Sequence, residues 1–200
     1  QMHIEPLKPD EIRDPELQAL IDRRVALGVP DTVFLRVLAR VPEHAKALLK
    51  RHGAPAVLPT LHAWVARLDA GDPAQARLLL EALWVRQWLD APDPELLDRV
   101  LRSAEPRVRA GAVRVAADWA DRVPAHLTLL TRAVTDPHAR VRLEAVNALR
   151  LAGTADAARV AATAIDQPLD GNLDFALWLT MRELAREWAP KLAADPAFAD

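Results

Sequence analysis

Between residues 94 and 152 apolar side chains return every three or four positions, the spacing that gives a helix one buried face. In the segment 106–120, Val108, Ala112, Val115, Ala116 and Trp119 form such a stripe, and Arg107, Arg114 and Asp118 lie opposite. Prolines and aspartates punctuate the pattern: proline in the first helical position forfeits no hydrogen bond, and an aspartate before it can cap free amides. The spacing predicts paired helices over 56–69 and 73–89, 94–103 and 106–120, 124–135 and 138–152, and 155–166 and 172–188. Such short connections fold neighbouring helices antiparallel, as hairpins. Ahead of them Asp14-Pro15 opens a helix to about Leu27, Asp31 caps a second, and Pro42 opens a third that Gly53 closes. Residues 1–53 are therefore expected to form an N-terminal helical segment, and 54–200 a repeat domain.

A shift of 33 residues lays Leu97 on Leu130, Leu101 on Val134, Val108 on Val141, Arg109 on Arg142, Ala112 on Ala145 and Val113 on Val146. A period of that length built from helix pairs predicts a stack in which each pair buries its face on the next. Runs of alternating β-branched or aromatic residues, the mark of strands, are missing, and the chain has no tyrosine. The expected fold is all-α, a right-handed α-solenoid of about four helical hairpins with an N-terminal helical cap.

Composition narrows the chemistry. With 26 basic and 28 acidic side chains the formal charge is -2, which gives no global reason to expect nucleic acid or an anionic membrane as partner. The absence of cysteine excludes disulfides, thiolate metal sites, haem attachment through Cys-x-x-Cys-His and a thiol nucleophile. Six scattered histidines, and no Gly-rich phosphate loop or Gly-x-Ser-x-Gly elbow, leave no metal site, cofactor or catalytic residue to expect. No apolar run approaches the roughly 20 residues of a membrane span. The chain as given is expected to be soluble and cytoplasmic, or periplasmic if it belongs to a larger exported protein.

Asp136-Pro137, then Val141-Arg142 and Ala145-Val146, resemble the signature of HEAT repeats. The resemblance implies a ladder in which an Asp of the turn and an Arg six residues later join successive repeats, here Asp136 and Arg142. Arg109 matches the arginine position, but Ser103 stands at its Asp position, which implies a weaker rung there. Independently of the family, both arginines stand near helix N-termini, where the dipole opposes a cation by a few tenths to about 1 kcal/mol. A planar guanidinium there is read as spent on an inter-repeat hydrogen bond.

Two further likenesses concern particular stretches. ALWVRQWLD, LLDRVLRSAEPRVRAGAVRVAADWADRVP, DPHARVRLEAVNALRLAG and LDFALWLTMRELAREW resemble the HEAT region of PVC-type haem-binding proteins, bacterial exported chains resembling membrane-bound dehydrogenases. Without cysteine no redox role carries over. Residues 1–50 resemble the opening of carboxymuconolactone-decarboxylase-like proteins, whose thiol chemistry would also need the missing cysteines.

The second helices of such hairpins line the concave face, where solenoids bind partners. The repeat register places Trp84, Trp88, Arg114, Asp118, Asn147, Trp178 and Arg182 on that face, residue types that suit a protein or an extended peptide. The expected function is a non-catalytic interaction or scaffolding module. The alternative is a HEAT-like DNA-binding protein or DNA glycosylase, since eight arginines against four acids lie between Arg107 and Arg150.

Overall fold

A computed structural model describes residues 53–69 and 71–199. It contains α1 (Ala54–Val65), α2 (Pro73–Trp88), α3 (Pro94–Leu101), α4 (Pro106–Asp118), α5 (His126–Val134), α6 (Ala139–Ala152), α7 (Ala155–Ala162), a 3-10 turn (Thr163–Asp166), α8 (Gly171–Glu183), α9 (Ala185–Ala194) and a last 3-10 turn (Pro196–Ala199). No strand occurs among the described residues, so the fold is all-α. The three helices expected before Gly53 lie outside the described residues.

Helices start where the punctuation puts them. Pro73, Pro94 and Pro106 are first helical residues, and the carboxylates of Asp93, Glu105 and Asp170 accept backbone N–H groups of the first turn that would otherwise lack partners. Thr154 caps α7 in the same way, through Ala157 N–H at 3.1 Å. Gly153 ends α6 with φ 69°, a left-handed conformation that only glycine adopts without penalty.

Of the described residues, 53–68 and 84–91 belong to one compact unit and 69–83 with 92–199 to another. In the second unit the hairpins α3–α4, α5–α6 and α7–α8 stack, with α4, α6 and α8 side by side as one layer. The helices α5 and α7 lie on the other side of α6, and α9 folds back onto α7. This is α-solenoid packing. Val108, Ala112, Val115, Ala116 and Trp119 are all buried, so the stripe read from the sequence is the core face of α4.

Gly111 lies in close contact with α2. A Cβ there would lie 2.8 Å from Cδ2 of Leu80 on α2, inside van der Waals contact. Gly111→Val should lower unfolding free energy by about 1–3 kcal/mol through overpacking, read as a reduced urea midpoint. Leu80→Ala in the same chain should recover part of that loss.

Two predicted segments end differently. The helix expected over 155–166 stops at Ala162 and tightens into a 3-10 turn. The one expected over 172–188 breaks at Leu184, φ -88° and ψ 7°, after which α9 runs to Ala194. The carbonyl of Met181, one of those a helix end leaves unpaired, accepts the indole N–H of Trp188 at 2.8 Å.

Candidate functional site

Counting from the N-caps Glu105, His138 and Asp170 aligns the second helices residue by residue. Arg109, Arg142 and Asp174 then share one place, and Val113, Val146 and Trp178 another. Because Cα–Cβ bonds lean toward the helix N-terminus, an arginine at the first of these reaches back to the turn from which its helix springs. Arg109 Nη1 donates to the carbonyls of Ser103 and Ala104 at 2.8 and 3.0 Å. Arg142 Nη1 donates to those of Asp136 and Pro137 at 2.8 and 3.1 Å.

The other edge of each guanidinium crosses to the following repeat. Arg109 meets the Asp136 carboxylate in a bidentate pair, Nε to Oδ2 at 2.7 Å and Nη2 to Oδ1 at 2.8 Å. Asp136 Oδ1 also accepts the N–H of His138, which fixes the turn. The hydrogen bond with Asp136 raises the pKa of Arg109. Arg142 is buried, 3% exposed, and its Nη2 donates to the carbonyl of Pro168 at 2.5 Å.

This geometry corrects the expected pairing. The Asp136 carboxylate serves Arg109 of the preceding repeat, and Arg142 takes only the backbone carbonyl of Asp136. The rung at Arg109, expected to be weak because of Ser103, has the full carboxylate. Ser103 needs no acid, since the place counted from Asp72 in α2 is held by Ala76; its hydroxyl accepts the N–H of Glu105 instead.

A second set of charges runs along the surface. Glu144 accepts from Arg114 Nη2 at 2.6 Å and pairs with Arg140 Nη2 at 2.8 Å, and the first of these bonds raises the pKa of Arg114. Arg150 Nη1 reaches Glu183 at 2.8 Å, Arg132 Nη1 reaches Asp98 at 3.2 Å, and Arg102 also pairs with Asp98. Arg122 pairs with Asp121 at 3.6 Å. Seven of the eight arginines between 107 and 150 are thus engaged by acids or carbonyls of the chain itself. Glu144 and Glu183 were not among the sequence candidates; their signal is a carboxylate roughly one repeat beyond an arginine.

The candidate stripe divides. Arg114 and Asn147 share one place after their N-caps, and Asp118 and Leu151 another, so these four form a row across α4 and α6. Leu151 is 68% exposed. In α8 the same two places hold Leu179 and Glu183. Trp178 and Arg182 lie one residue earlier, about 100° around the helix, because the N-caps His138 and Asp170 are 32 residues apart whereas the step from Asn147 to Trp178 is 31. Trp178 stacks on Phe175 with centroids 5.8 Å apart, and the Arg182 guanidinium lies 5.2 Å over the Trp178 ring. Trp84 is half-buried and Trp88 exposed, both in the first compact unit.

A cleft of about 100 Å³ is lined by Arg109, Asp136, Arg132, Leu101, Leu129, Ala133 and Val141, well below the roughly 300 Å³ at which small-molecule sites begin. Its central charges are already joined to each other. No group of three or more His, Asp or Glu side chains placed to hold a metal occurs among the described residues. None of their helices is long and apolar enough to cross a membrane.

His126, first residue of α5, has a buried Nε2 without a hydrogen-bond partner, and burial pushes its pKa below the ordinary 6.5. The folded chain therefore takes up this proton less readily than the unfolded one. The stability contribution of His126 is complete above pH 6.5 and is lost as pH falls below it. His126→Gln should flatten the decline in urea midpoint between about pH 7 and 5.

No curated protein and no solved structure matches the chain. A family model does: residues 94–174 match HEAT repeats. The stacked hairpins and the arginine at one fixed place after the caps of α4 and α6 lie within that match, so over residues 94–174 the chain is similar to HEAT repeats.

Proposed function

We propose that the chain is a non-catalytic interaction or scaffolding module that takes a protein or extended peptide on the row formed by Arg114, Asp118, Asn147 and Leu151. HEAT repeats commonly mediate protein interaction. The observation that carries the proposal is Leu151, the most exposed large apolar side chain of the second helices, set beside a polar row on α4 and α6. An apolar anchor with polar neighbours is the composition of a peptide-binding surface. Trp84 and Trp88 are left out of the row because they belong to the other compact unit. Trp178 and Arg182 are left out because they lie on a different side of α8.

The reading as a DNA-binding protein or glycosylase requires guanidinium groups available to phosphate. Most arginines between 107 and 150 are drawn into pairs with Glu144, Glu183, Asp136 and Asp98, which favours the protein partner. The likeness to PVC-type proteins supplies a setting, a helical scaffold between other domains of an exported chain. The likeness of residues 1–50 to decarboxylase-like proteins lies outside the described residues and adds no activity.

Affinity capture from a lysate of the source cell, with wild type and Leu151→Asp side by side, tests the row. A protein retained by wild type and lost from the variant, at unchanged helical circular dichroism, is the expected result. Equal retention by both sinks the row. Base release from alkylated duplex DNA would replace this reading with the glycosylase.

A further inference from the structure

In α4 and α6 the side chains that face the following repeat are buried or paired. Val113 and Val146 have no exposed surface, Arg109 pairs with Asp136, and Arg150 pairs with Glu183. The same places in α8, counted from its N-cap, hold Asp174, Trp178 and Arg182, with Phe175 beside them. Here Phe175 is 60% and Trp178 52% exposed. The side of α8 that corresponds to the stacking face of α4 and α6 is therefore open, and its ladder arginine has been replaced by an aspartate.

The order of charges along this stripe has a symmetry of its own. Asp174, Trp178 and Arg182 are spaced i, i+4, i+8, so they lie in line on one face. The acid and the base are each about 6 Å along the axis from the tryptophan. Turned end for end about Trp178, the stripe is its own complement. The Asp174 carboxylate of one copy falls opposite the Arg182 guanidinium of the other, twice, on either side of a cluster of four aromatic rings. An aspartate early in α8 also suits the helix dipole, as an arginine there does not.

We infer that this face of α8 is the contact of a symmetric homodimer, in which two α8 helices pack antiparallel about a twofold axis passing near Trp178. The interface is isologous, each copy giving and receiving the same contacts, so it closes at two copies. It is distinct from the row that carries Leu151, and either surface can fail without the other.

Charge reversal and mixing test this. Asp174→Arg leaves two cations on the stripe, and Arg182→Asp leaves two anions. Each variant alone should dissociate at least about tenfold more readily than wild type in sedimentation velocity, because like charges then face each other twice. An equimolar mixture of the two variants should form a heterodimer at near wild-type strength, because the cationic stripe then faces the anionic one. Circular dichroism of each variant checks that α8 remains folded, and Trp178→Ser, which leaves the charges intact, should also be monomeric. Wild type that stays monomeric at hundreds of micromolar, a mixture no stronger than its components, or growth beyond two copies would each overturn the inference. So would dimerisation that Leu151→Asp abolishes and the α8 variants leave intact.

Discussion

Asp136→Ala is expected to cost about 3–5 kcal/mol of unfolding free energy, the largest loss of any exchange to alanine at a polar residue in the array. The side chains of Arg109 and Asp136 are 13% and 10% exposed, so the bidentate pair is almost out of water. Removing the acid leaves a guanidinium held to two carbonyls in a place with little access to water. It also removes the acceptor of the His138 N–H, and with it the lock on the turn before α6. Asp136→Asn keeps a side-chain acceptor for that N–H and loses only the charge, so its cost should be about half as large. A double-mutant cycle with Arg109→Ala separates the pair from the turn: the coupling between the two changes measures the pair alone. Urea unfolding supplies all four values. A coupling below about 0.5 kcal/mol would mean that the ladder contributes nothing beyond exposed ion pairs.

The helices were legible because their signals are local. Pro94 and Pro106 start α3 and α4, Gly153 stops α6, and the stripe from Val108 to Trp119 needs only a period of 3.6 residues to be found. The break at Leu184 was not legible, since the apolar rhythm continues through it and what stabilises it is an indole reaching back seven residues. The ladder was half legible. A guanidinium near a helix N-terminus declares that something must hold it, but whether the acid lies in its own turn or the next depends on how far one hairpin is displaced along its neighbour. That displacement is a property of packing, and the register of α8 hangs on its N-cap in the same way: His138 to Asp170 is 32 residues, one more than the step from Asn147 to Trp178, which leaves Trp178 off the row that Arg114 and Asn147 share. The stacking face of α8 is the same lesson in reverse: an aspartate replaces the ladder arginine of α4 and α6, which is visible in the sequence only after the N-caps have fixed the register.

Arg142→Ala should cost about 3 kcal/mol, for a different reason from Asp136→Ala. Among the described residues no carboxylate reaches Arg142; its bonds go to the carbonyls of Asp136, Pro137 and Pro168, and its Nε is buried without a partner there. The charge is therefore held by dipoles of the backbone, two from its own turn and one from the turn before α8. Alanine leaves those carbonyls without a donor in a place with almost no access to water, and empties the volume of a buried side chain. Arg142→Lys should recover little, because one ammonium group on a flexible stem cannot span both turns as the planar fork does. Arg142→Met separates the two contributions. It restores most of the volume and none of the donors, so it should fall between wild type and alanine if packing dominates, and match alanine if the carbonyls do. Added salt distinguishes this rung from the surface pairs: between 0.1 and about 1 M the stability difference between Arg142→Ala and wild type should stay constant, whereas that of Arg114→Ala should shrink as screening removes its attraction to Glu144.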